Sequence, residues 1–87
     1  AFRLMGVYYW ILGKQKQALN WWIKSIKEGE RLGARLELSR TYLEVGKRLL
    51  ESGSKYKELD GVKAKDYLDR ARQQFIDMDL QWDLDKM

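Results

Sequence analysis

Cysteine, histidine and proline are all absent from the 87 residues. Without cysteine, neither a disulfide nor a thiolate metal site can hold the fold. Without histidine, the commonest general base and metal ligand is missing. Without proline, no helix is broken by a ring or a lost N–H. No run of eighteen apolar residues occurs, so no segment is long enough to cross a bilayer as a helix. The most apolar run, Leu4 to Leu12, is interrupted by Gly6 and lacks the flank of a signal peptide. Val and Ile are few and never alternate strictly with polar residues, which argues against strands and predicts no sheet. Absent cysteines leave the compartment unread, and a cytoplasmic location is the default expectation. The chain opens on Ala1 in what reads as the inside of a helix, so a segment of a longer protein is expected.

What is present is a heavy apolar load. The composition is 45% hydrophobic, with four Trp, five Tyr and two Phe, too apolar for a disordered chain. A chain this short buries a modest share of its surface and needs that load to fold at all. The net charge of +4 is unevenly placed. Residues 1–58 hold twelve Lys and Arg against six Glu, whereas residues 59–87 hold five against seven Asp. Such asymmetry steers docking, although solvated helix faces alone also produce it.

Glycines punctuate the chain at Gly13, Gly33, Gly53 and Gly61. Between them the apolar residues recur every three or four positions: Phe2, Met5, Tyr9, Leu12; Ala18, Trp22, Ile26, Gly29; Leu38, Tyr42, Val45, Leu49, Ser52; Ala64, Leu68, Ala71, Phe75, Met78. This spacing predicts four amphipathic helices over residues 1–12, 14–32, 35–52 and 62–78. Asp60 stands where an N-cap for the fourth helix is wanted. The tail, residues 80–87, predicts a further short helix with Leu80, Leu84 and Met87 on one face.

Two segments align with each other at an offset of 40. The first has Phe2, Met5, Gly6 and Tyr9, then Ala18, Trp22 and Ser25. The second has Tyr42, Val45, Gly46 and Leu49, then Ala64, Leu68 and Ala71. Aromatic-x2-apolar-Gly-x2-bulky followed by Ala-x3-bulky resembles the tetratricopeptide-repeat family. The physical logic is that a small residue lets two helices approach while bulky neighbours fill the space beside the contact. The resemblance implies an all-α fold of antiparallel helical hairpins in one domain, residues 1–87. Repeat one covers 1–34, repeat two covers 35–79 with an inserted loop at 53–62, and a tail follows at 80–87. The insertion and the missing closing proline depart from the regular pattern. Leu32-Gly33-Ala34-Arg35, Glu37-Leu38, Arg40-Thr41 and Met78 to Leu84 further resemble the C-terminal repeat regions of bacterial multidomain regulators, which carry a cyclase or DNA-binding domain and a P-loop ATPase. None of those domains' catalytic motifs lies in these residues, so no such activity carries over.

The family resemblance implies a protein–protein interaction scaffold, not an enzyme, with no cofactor, no metal and no catalytic residue. Its concave face would be lined by Arg3, Val7, Trp10, Arg40, Leu43 and Lys47, whose cations suit an acidic or carboxylate-ended peptide. Trp22 falls on a core position, and Trp21 points about 100° away from it. Tyr8, Trp21, Leu80, Trp82 and Leu84 are candidates for self-association, and a homodimer is expected because two repeats leave apolar end faces. Two chains can pair the apolar faces of their first helices, Tyr8 to Leu12, around a two-fold axis, exchange the last helix through the loop at 54–63, or lay the acidic tail on a second chain with Leu80, Trp82 and Leu84 as anchors; in the opposing view the tail caps its own second hairpin and the chain stays monomeric. The rival reading is a basic-surface nucleic-acid-binding helical domain using Lys14, Lys16, Lys24, Lys27 and Arg31. Interspersed Gln and Glu and the absence of any nucleic-acid motif count against it. Asp66 with Asp69, and Asp83 with Asp85, are carboxylate pairs with no nucleophile or phosphate loop beside them.

Overall fold

Most of the expected apolar stripes become inner faces of helices in a computed structural model, which describes residues 1–87. Helices α1 (Phe2–Ile11) and α2 (Gln15–Leu32) form one hairpin. Helices α3 (Arg35–Leu49) and α4 (Ala64–Asp77) form the second, and a short α5 (Gln81–Asp85) follows. The chain is 71% helical. No helix start is capped by a side chain, so the helices depend on packing and on how they end. Three of them end in one way. The N–H of Gly13 bonds to the Trp10 carbonyl (2.9 Å) and that of Lys14 to the Tyr9 carbonyl (2.9 Å). The same pair of bonds recurs after α2 around Gly33 and after α4 around Asp79. This closure places its pivot residue in left-handed space, with φ of 80° at Gly13 and 65° at Gly33, a region glycine enters at no steric cost. Asp79 adopts it as an aspartate, φ 54°.

Within each hairpin the two aligned glycines do the same work. A Cβ on Gly6 would fall inside the Trp22 indole, and one on Gly46 would stand 2.6 Å from Leu68 Cγ and 3.1 Å from the Ala64 carbonyl oxygen. Each first helix is thus notched to receive the bulky residue of its partner. Trp22 is fully buried and donates from Nε1 to the Arg3 carbonyl (3.1 Å). The hairpins join through α2 and α3, where the Ser25 and Thr41 hydroxyls share a 2.8 Å bond and Gly29 lies against Leu38. Ser39 bonds to Gln74 across α3 and α4. The core therefore runs from Trp10, Ala18 and Trp22 through Tyr42, Val45 and Leu49 to Tyr67, Ala71 and Phe75. Each large side chain buried there contributes roughly 1.5–3 kcal/mol of transfer free energy.

The structure corrects four expectations. A sheet exists: β1 (Glu58–Leu59) and β2 (Val62–Lys63) pair antiparallel, Glu58 opposite Lys63 and Leu59 opposite Val62. Asp60 is not the N-cap of α4. It turns the hairpin with Gly61, at φ 52° and 77°, the two positive values that a two-residue turn with the twist of its strands requires. Lys63 stands at the N-cap instead, and α4 starts at Ala64. Helix α3 stops at Leu49, leaving Ser52 exposed in a turn. In α1 the best-buried residues are Gly6 and Trp10, whereas Phe2, Met5 and Leu12 remain exposed. The inserted loop is also anchored. Gln15 Nε2 donates to the Gly53 carbonyl (2.9 Å), the Lys55 N–H donates to Gln15 Oε1 (2.9 Å), and Leu59 enters the core. The Tyr67 hydroxyl donates to the Leu59 carbonyl (2.7 Å), which locks the strand pair onto α4.

Candidate docking surfaces

The six concave-face candidates lie along the side where α1, α3 and α5 follow one another, and their polar groups are already engaged. Arg3 Nε donates to Glu37 Oε1 (2.8 Å). Trp10 is buried on Trp22, ring centres 5.5 Å apart, and donates from Nε1 to Glu51 Oε1 (2.8 Å). Arg40 Nε donates to Asp83 Oδ1 (2.9 Å), and that hydrogen bond raises the guanidinium pKa above its ordinary value. Lys47 Nζ donates to the Lys86 carbonyl (2.6 Å). Val7 and Leu43 are half-buried against the core. Arg3, Arg40 and Leu43 do meet in one open groove of about 290 Å³, together with Glu44, Trp82, Asp83 and Lys86. Three cations, Arg3, Arg40 and Lys86, and an exposed indole are therefore gathered there, but Glu44 and Asp83 share the wall and offset much of the positive charge.

The tail folds back onto its own chain. Leu80, Leu84 and Met87 turn inward, half-buried against the core, and Asp83 is buried beside Arg40. Two of the three apolar residues expected to anchor a second chain are thereby occupied within this one. Trp82 is 65% exposed, with Lys86 Nζ 4.8 Å from its ring centre. Trp21 is half-buried between Phe2 (5.6 Å) and Tyr9 (6.4 Å, nearly parallel), with Lys24 Nζ 4.6 Å from its ring centre. Tyr8 and Trp21 thus belong to the first hairpin and Leu80, Trp82 and Leu84 to the tail, where Leu80 and Leu84 turn inward, so the five self-association candidates form no single patch.

The two junctions along this side are built alike. Arg3 of α1 pairs with Glu37, the third residue of α3, and Arg40 of α3 pairs with Asp83, the third residue of α5. The short α5 therefore docks on the second hairpin much as α3 docks on the first. Burial of Asp83 escaped sequence reasoning, because a lone acid in a polar tail carries no periodic signal.

The apolar outer side of α1, which carries the self-association candidate Tyr8, has a charged counterpart in the repeat alignment. At an offset of 40, Leu4, Tyr8 and Ile11 of α1 stand where α3 has Glu44, Arg48 and Glu51. In α3 those three form an ion-pair set: Arg48 Nε to Glu44 Oε2 (2.7 Å) and Nη1 to Glu51 Oε2 (3.0 Å). The buried Trp10 of α1 sits on it through Glu51. In α1 the same positions are apolar and open, Leu4 and Tyr8 at 56% and Ile11 at 71% exposure, with Met5 and Leu12 beside them.

The basic candidates Lys14, Lys16, Lys24, Lys27 and Arg31 are all exposed. They are not a free stripe: Arg31 pairs with Glu28, Lys24 lies on Trp21, and Lys27 shares a small groove with Glu30 and Asp60. No three His, Cys, Asp or Glu residues gather as for a metal ion. No helix is long and apolar enough to cross a membrane. No protein-family model matches the sequence, and no curated protein or solved structure matches it either.

Proposed function

We propose that this chain is a protein-docking scaffold of tetratricopeptide-repeat type, a segment of a larger cytoplasmic signalling or regulatory protein. The observation that carries this reading is α1. It has one charged residue, Arg3, already paired with Glu37, and it is apolar on the side facing α2 and on the side facing solvent. A helix that is apolar all round is one that becomes covered on both sides. The repeat assignment is supported by the notched contacts at Gly6 and Gly46, which recur at the offset of 40. Helical hairpins that each leave a face for a neighbour stack into arrays whose stability is a sum of unit and interface terms.

A fusion tests this directly. A copy of residues 35–79 joined ahead of Ala1 should cover α1, unfold in one transition with the rest of the chain, and raise its Tm. Two separate transitions, one at the parent Tm, would remove the scaffold reading.

A further inference from the structure

We infer that the outer stripe of α1 is the two-fold contact of a homodimer, in which Tyr8 meets Tyr8, Leu4 meets Leu12, and Met5 meets Ile11. The inference rests on the docking reading above and names the occupant of that same face.

Three observations select a second copy. First, the stripe carries no charge, whereas the chain carries +4 and residues 1–58 hold most of its cations. Two copies therefore approach most easily here, because no ion is desolvated and no like charges are brought into contact. Second, the position is specified differently from its internal counterpart. The face of α3 that receives α1 presents Glu44, Arg48 and Glu51, which offer a carboxylate to the Trp10 N–H. Leu4, Tyr8 and Ile11 offer no carboxylate, only the neutral Tyr8 hydroxyl, so a helix face like that of Trp10 would exchange a charged acceptor for a weaker one. An apolar stripe pairs best with another apolar stripe, and a stripe of this kind is automatically complementary to itself. Third, the area suits a weak dimer. Five half-exposed side chains, Leu4, Met5, Tyr8, Ile11 and Leu12, offer on the order of 500 Å² per copy, so about 1,000 Å² for the pair, the lower bound for a specific interface.

The geometry of the contact follows from symmetry. A two-fold axis perpendicular to α1 sets the two helices antiparallel, and a residue on the axis meets its own copy. Tyr8 is the middle of the stripe, so residues equally far before and after it pair: Leu4 with Leu12 and Met5 with Ile11. The alternative, α1 of one copy against exposed Ile76 or Trp82 of the next, is a head-to-tail contact that does not close and grows into filaments.

The absence of cysteine makes single introduced thiols clean probes. Sedimentation equilibrium of the intact chain between about 1 and 500 µM should follow a monomer–dimer equilibrium with a Kd in the range of tens of micromolar, as a minimal interface gives. The variant L4E/Y8R/I11E, which installs the residues α3 carries at the same positions, should keep the far-UV circular dichroism of the parent and weaken the dimer at least tenfold. Under mild oxidation, Tyr8→Cys should form a disulfide dimer many-fold faster than Leu50→Cys, an equally exposed site away from the stripe. A mixture of Leu4→Cys and Leu12→Cys chains should cross-link to each other in preference to themselves. A monomer at every concentration would overturn the inference, as would mass growing beyond the dimer or equal cross-linking at positions 8 and 50. The fused hairpin and the second copy compete for this one face, so the fusion should suppress the dimer; the Tm of the fusion and the mass of the parent chain are separate readouts, and either reading can fail alone.

Discussion

Gly6→Ala sets two effects of opposite sign against each other. In the middle of a helix, replacing glycine by alanine stabilises by about 1 kcal/mol through propensity alone. Here the new methyl would fall inside the Trp22 indole, and Trp22 has nowhere to go. Its side chain is fully buried, its ring packs on Trp10 at 5.5 Å, and its Nε1 donates to the Arg3 carbonyl at 3.1 Å. Either α1 lifts away from α2 or the indole turns, and both routes strain the core and stretch the Trp22 hydrogen bond. Overpacking costs about 1–3 kcal/mol, and leaving the indole N–H unpaired adds about 1–3 kcal/mol. Set against the propensity gain, the net is a loss of about 3 kcal/mol. A domain of this size shifts by about 4–8 °C per kcal/mol, so the Tm should fall by about 10–25 °C. Thermal melts by circular dichroism measure it, with Gly53→Ala as the control, since no atom lies within 4 Å of the added methyl there. A Tm that stays level or rises in Gly6→Ala would mean that α1 does not sit on Trp22 as described and that the repeat register is wrong.

Burial pushes the Tyr67 phenol up to about 12. The unfolded chain therefore releases that proton first as the pH climbs past about 10, and stability that is intact below pH 10 should fall by about 2–3 kcal/mol between pH 10 and 12. Tyr67→Phe should flatten that part of a stability-versus-pH curve, at a cost of about 1 kcal/mol at neutral pH for the lost bond to the Leu59 carbonyl; an unchanged alkaline slope would show that Tyr67 is not the group responsible. Asp83→Asn removes the carboxylate that holds Arg40, so hydrogen exchange should quicken in residues 80–87 while the amides of α2 stay protected, and uniform quickening would mean that α5 is part of the global core. Binding to an arbitrary DNA duplex at physiological salt should be no tighter than about 10⁻⁴ M, because Arg31 is paired with Glu28 and Lys27 lies in a groove with Glu30 and Asp60; tighter binding that weakens steeply with added salt would favour the nucleic-acid reading.

The four long helices were legible because their apolar residues recur at the helical period over many turns, and Gly6 with Trp22 and Gly46 with Leu68 were legible because the same small–bulky pair occurs twice. The strand pair was misread for a local reason. Asp60-Gly61 serves equally as a cap before a helix or as a tight turn between strands, and two-residue strands leave no alternation to choose between them. Asp83 illustrates a different gap. Only the arrival of Arg40 from 43 positions earlier makes a buried carboxylate tolerable there, and no local pattern records that meeting.

Periodicity, glycine placement and the internal repeat by themselves determined that this chain folds as paired helices with a notched contact in each hairpin. Those features act over a few turns of one helix, where propensity and amphipathic pattern suffice. The orientation of α1 was decided only by tertiary structure. A helix with Leu4, Met5, Val7, Tyr8, Tyr9, Trp10 and Ile11 has no polar side to mark as outward, so its own residues leave the inward face open. Packing settled it: the notch at Gly6 has to meet Trp22, and Trp10 has to reach the carboxylate of Glu51, and turning that face inward leaves Leu4, Tyr8 and Ile11 in solvent.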